Sequence, residues 1–352
     1  MLAQVILLSG SCTSKPAGTD KEVLNAFHLR MNGKVDQAKA LLESAITKDS
    51  NNAMAFYELA RLKHYMFVGG GNVKIEDIIS SINKAVLLEP KNVTYSYYKA
   101  IACFLNAFMA MQKQQDQVKP RISETCKAFE QVLMLKPDYH EALLYLVEIY
   151  GMLPKDMGGD SLKGIMYAEK LVKMNAYYGA KAKAALLADD ADRVSYWENY
   201  LAKDKKNPDL IMETGIACLL KGDPSGAERY FNQAMKIDTS KNYLILDLAR
   251  YPMYKVMQNQ ELAKTELPVA KKYLEEYLKS VPEPVVPLKA YAKGSLVRIE
   301  MILGNKAQAD ELMNETKLLD PYFSRASGIP TLLLFDPPDA VSHHFFSFFS
   351  PY

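Results

Sequence analysis

The feature that most constrains this chain is a spacing of small and large residues. In "LKGDPSGAERYFNQAMKIDTS", Leu220 to Ser240, the residues Gly222, Ala227, Phe231 and Ala234 stand five, four and three positions apart. Two antiparallel helices that cross closely need small residues at the crossing and a large ring beside it, because packed interiors leave few voids. Gly222 suits the left-handed conformation that ends a helix. Asp223 can then cap the next helix, and Pro224 fits its first turn. Ala227 and Ala234 let the helices close and Phe231 fills the space between them. Ile211 and Gly215 fall on the partner helix.

The pattern recurs along the chain. Gly33, Ala38, Leu42 and Ala45 stand in the same relation. Phe56, Leu59 and Ala60 open a second unit, which finishes at "INKAVLLEPKN" with Ala85 and Pro90. "CKAFEQVLMLKPDY" carries Phe129 and Pro137 in the same places, and Leu143, Leu146, Val147 and Tyr150 open the unit after it. Gly304, Ala309, Met313 and Pro321 supply a late copy. In these copies the chain resembles the tetratricopeptide (TPR) repeat, a helix–turn–helix unit of about 34 residues. The resemblance covers residues 20–322. It implies an all-α solenoid of about seven or eight hairpins stacked into a right-handed superhelix. Residues 1–19 are then expected to be a signal remnant or tether, and residues 323–352 a short irregular C-terminal cap.

Two units are longer. One carries "MFVGGGNVKIED" and another "GMLPKDMGGDSLKG". Neither ends in the GK[ST] of a phosphate-binding P-loop, so both read as turns. Gly158 and Gly159 can terminate a helix and Asp160 can cap the next. This second loop resembles one in some exported TPR lipoproteins, including those linked to TRAP-type transporters. Between Arg250 and Pro287 the pattern is less regular. Pro252 and Pro268 are expected to interrupt it, and Val281 to Pro287 to be extended.

Charge excludes one class of partner. The 43 basic and 41 acidic residues of the 352-residue chain are well mixed, for a formal net charge of +2. The nearest basic run, Lys203 to Lys206, offers too few phosphate contacts for a nucleic-acid surface. No segment carries the roughly twenty unbroken apolar residues of a transmembrane helix. The start, "MLAQVILLSGSCTSKPAGTD", resembles the end of a bacterial lipoprotein signal peptide. Cys12 would be the lipidated residue, although Ser9 stands where that motif has Leu. An ordinary exported start and a cytoplasmic one remain open. Cys103, Cys126 and Cys218 lie in apolar helical stretches, without metal-ligand spacing, and are expected in the core.

No catalytic set emerges. His140-Glu141 begins like a zincin helix, but Leu144 stands where the second ligand would be. His28 and His64 are isolated. Asp336, Asp339, His343 and His344 lie close in the C-terminal extension and admit a metal site there. Phe345, Phe346, Phe348, Phe349 and Tyr352 suit a cap over the open end of a solenoid.

In TPR proteins the first helices of successive units line a concave groove. Carried over by position, the resemblance points to Tyr57, Arg61 and His64, to Thr94, Tyr97 and Ile101, and to Met212, Ile216 and Leu219. The expected function is a non-catalytic scaffold at the bacterial cell envelope, without cofactor, binding a protein or peptide in that groove. The alternatives are an accessory component of a TRAP-like solute-uptake system holding a small ligand, or a metal-dependent protein with its site in the C-terminal extension.

Overall fold

The computed structural model describes residues 18–113, 117–320 and 322. Among them are sixteen α-helices and three short 3-10 turns, with no strand. The first eight helices are α1 (Gly18–Met31), α2 (Val35–Lys48), α3 (Ala53–Val68), α4 (Ile75–Leu88), α5 (Val93–Gln112), α6 (Val118–Leu135), α7 (His140–Met152) and α8 (Ser161–Met174). The rest are α9 (Ala176–Ala185), α10 (Arg193–Leu201), α11 (Pro208–Lys221), α12 (Pro224–Ile237), α13 (Leu244–Gln258), α14 (Ala263–Leu278), α15 (Val286–Leu303) and α16 (Lys306–Leu319).

Consecutive helices pair as hairpins: α1 with α2, α3 with α4, α5 with α6, α7 with α8, α11 with α12, α13 with α14, and α15 with α16. The motif of the opening stretch does what its spacing implies. Gly222 has φ +84° and closes α11, and the Asp223 side chain accepts a hydrogen bond from the Gly226 amide at 2.9 Å. Ala227, Phe231 and Ala234 are fully buried. A Cβ at Gly215 would lie 2.5 Å from the Phe231 ring, so only glycine admits that ring. In the first hairpin Gly33 turns with φ +70°, and Ala38, Leu42 and Ala45 are buried. In the last, Gly304 and Ala309 keep their roles, but Thr316 holds the second small position, fully buried, with its hydroxyl donating to the Leu312 carbonyl. Pro321 lies outside the described residues. Asparagine side chains cap α3, α5, α9 and α11, satisfying amides that a helix start leaves unpaired.

Three features depart from the sequence expectation. The array is spliced in the middle: α9 packs on α7 and α8, whereas α10 packs on α11. The single tryptophan, Trp197 of α10, fills the joint against Ala180, Leu210 and Ala217. Pro252 and Pro268 do not interrupt the chain, because they lie inside α13 and α14. An interior proline costs about 3 kcal/mol; burial of Leu244, Leu248, Ala249 and Val256 on one helix, and of Leu267, Ala270 and Leu274 on the other, outweighs it. Val281 to Val285 form a loop, but Val286 and Pro287 already begin α15, where proline's missing amide costs nothing.

The array also closes on itself. One core joins Val23, Ala26 and Leu42 of the first hairpin and Tyr65 of the second to Leu267, Leu274, Leu296 and Ile299 of the last two. The solenoid ends therefore cover each other, which corrects the expectation of an exposed end. At the seam the Tyr65 hydroxyl donates to the Asp320 carboxylate, and the Tyr322 hydroxyl donates to Asp36 at 3.3 Å. A Cβ at Gly33 would lie 2.1 Å from the Leu319 carbonyl oxygen, and one at Gly69 would lie 2.7 Å from Tyr322. The first turn and the first long loop thus admit the end of the last hairpin.

Candidate functional site

Burial separates inner helices from outer ones. The second helices bury a narrow stripe, such as Gly164, Ala168 and Leu171 on α8. Several first helices bury far more than a stripe, although α1 does not: ten successive residues of α11, Leu210 to Leu219, are buried. A helix buried on every side would ordinarily be apolar throughout. These are not. With Lys241 and Asp320 aside, which lie outside the α-helices, the buried charged residues described (Arg30, Glu58, Arg61, Lys181, Glu213, Asp247 and Glu300) all fall on the odd-numbered helices. Buried charges persist only where they are paired or serve a purpose. The inner wall is therefore the candidate site; Glu300 pairs with Lys271 of α14 at 2.6 Å, and the other charged groups fall in three clusters.

The first lies between α1, α3 and α5. Glu58 accepts from Arg61 Nη1 at 2.5 Å and stands 3.6 Å from Arg30 Nη2. Both guanidinium groups lie over the Phe27 ring, at 5.4 and 5.3 Å, and Arg61 also lies 5.4 Å from the Tyr57 ring. His64 Nδ1 is 2.9 Å from the Tyr98 hydroxyl. Burial, then the charges of Arg30 and Arg61, push the His64 imidazole down to about 4, so it is neutral at pH 7.

The second lies between α7, α9 and α11. Lys181 Nζ and the Tyr177 hydroxyl both donate to Glu213 Oε1, each at 2.8 Å. Half-buried Glu148 faces the same wall; burial raises its carboxyl to about 7, with Lys181 opposing and Glu213 adding to the rise. The third lies on α13 and α15. There Arg250 Nη1 donates to Asp247 at 2.6 Å and its Nε donates to the Tyr291 hydroxyl at 3.0 Å. Burial holds Asp247 above its ordinary value despite Arg250.

Of the positions carried over from the TPR resemblance, Tyr57, Arg61 and His64 come together in the first cluster. Thr94 is half-buried at the start of α5. Tyr97 and Ile101 sit inside the core of α5, α6 and α7, with the Tyr97 ring 4.7 Å from Tyr139 and 6.0 Å from Phe129. Met212, Ile216 and Leu219 belong to the core of α11 and α12. Pattern reading passed over Arg30, Glu58, Glu148, Lys181, Glu213, Asp247 and Arg250. Their signal is a charged residue at a core position of an apolar helix. Cys103, Cys126 and Cys218 are buried, as expected. Cys12, Asp336, Asp339, His343, His344 and the aromatic tail lie outside the described residues. Among the described residues no helix is long and apolar enough to cross a membrane, and no group of three ligand-type side chains could hold a metal ion.

No family model and no curated protein matches the sequence. Solved structures with a similar helical array include TTC0263, a thermophilic TPR protein of Thermus thermophilus. It is 14% identical, with a TM-score of 0.40 over 67% of this chain and 99% of that one. A tetratricopeptide repeat protein of Parabacteroides merdae is 14% identical, with a TM-score of 0.35 over 90% and 95%. PilW, described as a widely conserved type IV pilus biogenesis factor, is 15% identical, with a TM-score of 0.29 over 88% and 96%. These likenesses are loose, and the fold rests on the chain's own hairpins. By their capping, their small–large interlock and their sequential stacking, the described residues form an all-α solenoid of the tetratricopeptide type.

Proposed function

We propose that the chain is a non-catalytic scaffold at the bacterial cell envelope, and that its inner wall holds a protein or peptide partner. The observation that carries this is the placement of charge. The outer helices bury stripes without charged residues, whereas the inner helices hold ion pairs, clustered tyrosines and a neutral histidine. Apolar residues of similar volume would pack a purely structural wall as well or better. Tyr and Arg beside one another, as in Tyr57, Tyr98 and Arg61, make anchors at low entropic cost. The envelope location rests on the resemblance of the stretch around Cys12 to a lipoprotein signal.

Photo-crosslinking residues placed singly at Thr94 and Glu148, both half-buried on first helices, and at Leu87 and Met134 test the reading in the native cell. Leu87 and Met134 are 72% and 77% exposed on outer helices. Discrete adducts from the two inner positions alone are expected. Adducts only from the outer positions, or none from the inner ones, would overturn the proposal.

A further inference from the structure

An outer helix of a solenoid ordinarily has one apolar face, turned to its neighbours, and one polar face turned to water. Helix α8 has two apolar faces. Its buried face carries Gly164, Ala168 and Leu171. A Cβ at Gly164 would lie 2.8 Å from the Gly151 Cα, a close approach that holds α8 flat on α7 and fixes its other face outward. On that outer face Leu162, Ile165, Met166 and Val172 are between 39% and 78% exposed. The last three stand three, four and ten positions after Leu162, the spacing of one helix face, so the four side chains form a single stripe. With Met174 at its end, α8 exposes five large apolar side chains, and no other described helix exposes more than two. Exposed apolar residues scattered singly need no explanation, whereas a contiguous strip marks a surface that meets something.

Charge selects the occupant. Lys163 and Lys170 stand seven positions apart along one edge of the stripe, and Lys173 continues that edge. Glu169 is the only acid on the helix. A second copy docked about a two-fold axis would bring the same three lysines to the contact from both sides, with only Glu169 of each copy to offset them. An anionic lipid surface matches both halves of the pattern. Acyl chains take up the apolar stripe, and the lysine stems reach past it to place their ammonium groups among the headgroup phosphates. We propose that the outer face of α8 is a docking surface for an anionic membrane leaflet, with the helix lying in the plane of the interface. The helix rests on the bilayer and does not cross it. This goes beyond the inner-wall reading and does not rest on it.

The test is flotation of the full chain, carrying Cys12→Ser so that no lipid anchor contributes, with vesicles of two compositions. Vesicles of phosphatidylcholine and phosphatidylglycerol in equal parts should bind it at least about tenfold more tightly than vesicles of phosphatidylcholine alone. Ile165→Asn combined with Met166→Gln removes the centre of the stripe and should weaken binding to the anionic vesicles at least about tenfold. Lys163→Gln, Lys170→Gln and Lys173→Gln together should weaken it by a similar factor, about tenfold or more, and keep the test decisive should the apolar pair disturb the fold. Leu87→Gln, at an exposed site on α4, should leave binding unchanged. No flotation, equal flotation with both vesicles, undiminished binding in either α8 variant, or an equal loss in Leu87→Gln would overturn the proposal. Sedimentation of the lipid-free chain gives the competing outcome. A dimer that the Ile165 and Met166 substitutions dissociate would assign the stripe to a second copy and overturn the membrane surface. The inner-wall reading survives such a failure, because crosslinks at Thr94 and Glu148 test it separately.

Discussion

The Tyr65 hydroxyl bonds the carboxylate of Asp320, 255 residues further along the chain, and both side chains are buried. This contact joins the second hairpin to the end of the last helix. The Arg30 charge also reaches the Tyr65 hydroxyl. Tyr65→Phe is expected to destabilise the fold by about 1–3 kcal/mol, and Asp320→Ala by at least as much. In a double-mutant cycle read by urea unfolding, the pair should fall short of additivity by about 1–3 kcal/mol. Additive effects would mean that the two residues do not act together.

Gly33 and Gly304 have the same left-handed backbone, at φ +70° and +85°, but different surroundings. A Cβ at Gly304 meets nothing within 4 Å, whereas one at Gly33 meets the Leu319 carbonyl oxygen at 2.1 Å. Gly304→Ala should therefore cost only the left-handed strain, roughly 1–2 kcal/mol. Gly33→Ala should cost that and about 1–3 kcal/mol more for overpacking the seam. Equal losses on thermal unfolding would contradict the close approach of the first turn to the last helix.

Within a hairpin, Gly215→Ala drives a methyl group into the Phe231 ring. A loss of about 1–3 kcal/mol is expected. Phe231→Leu, which frees space beside it, should restore part of that loss when the two are combined. A double variant no better than the sum of its parts would contradict the interlock.

The His64 prediction concerns pH. Its folded value is depressed to about 4 from an ordinary 6.5. Between those values the unfolded chain binds a proton that the folded chain refuses, so stability is full above pH 6.5 and falls as pH drops toward 4. A shift of that size corresponds to about 3 kcal/mol. Glu148, raised to about 7, acts in the opposite sense, its contribution being lost as pH rises. The measurement is the difference between wild type and His64→Gln in urea unfolding at pH 7 and pH 4.5. The variant should lose less stability than wild type on acidification. Equal loss in both proteins would contradict a neutral, desolvated His64.

The sequence revealed what is local and left out what is not. Gly222, Asp223, Pro224, Ala227 and Phe231 lie within ten positions and act through one turn and two helix faces, so their spacing alone declares them. Gly158 with φ +108° and Asp160 capping α8 at 3.2 Å were legible for the same reason. Tyr65 and Asp320 belong to hairpins at opposite ends of the chain, and their pairing depends on the rotation accumulated over the whole array. No window of sequence contains that rotation. The prolines misled because propensity weighs a lost amide but not the apolar faces that hold α13 and α14 in place. The inner-wall charges were hidden because a glutamate on a mostly apolar helix reads as solvent-facing until packing shows that no side of that helix meets open solvent.

Closure of the array is the most direct test of this account. Nitroxide labels at Lys34→Cys and Leu318→Cys, both exposed sites beside the seam, would be read by pulsed electron resonance in the full chain. A single short and narrow distance is predicted, with Asp320→Ala broadening it toward longer values. A long distance or a broad distribution in the otherwise unaltered protein would show that the solenoid is open, and would contradict the enclosed inner wall on which the proposed partner site depends.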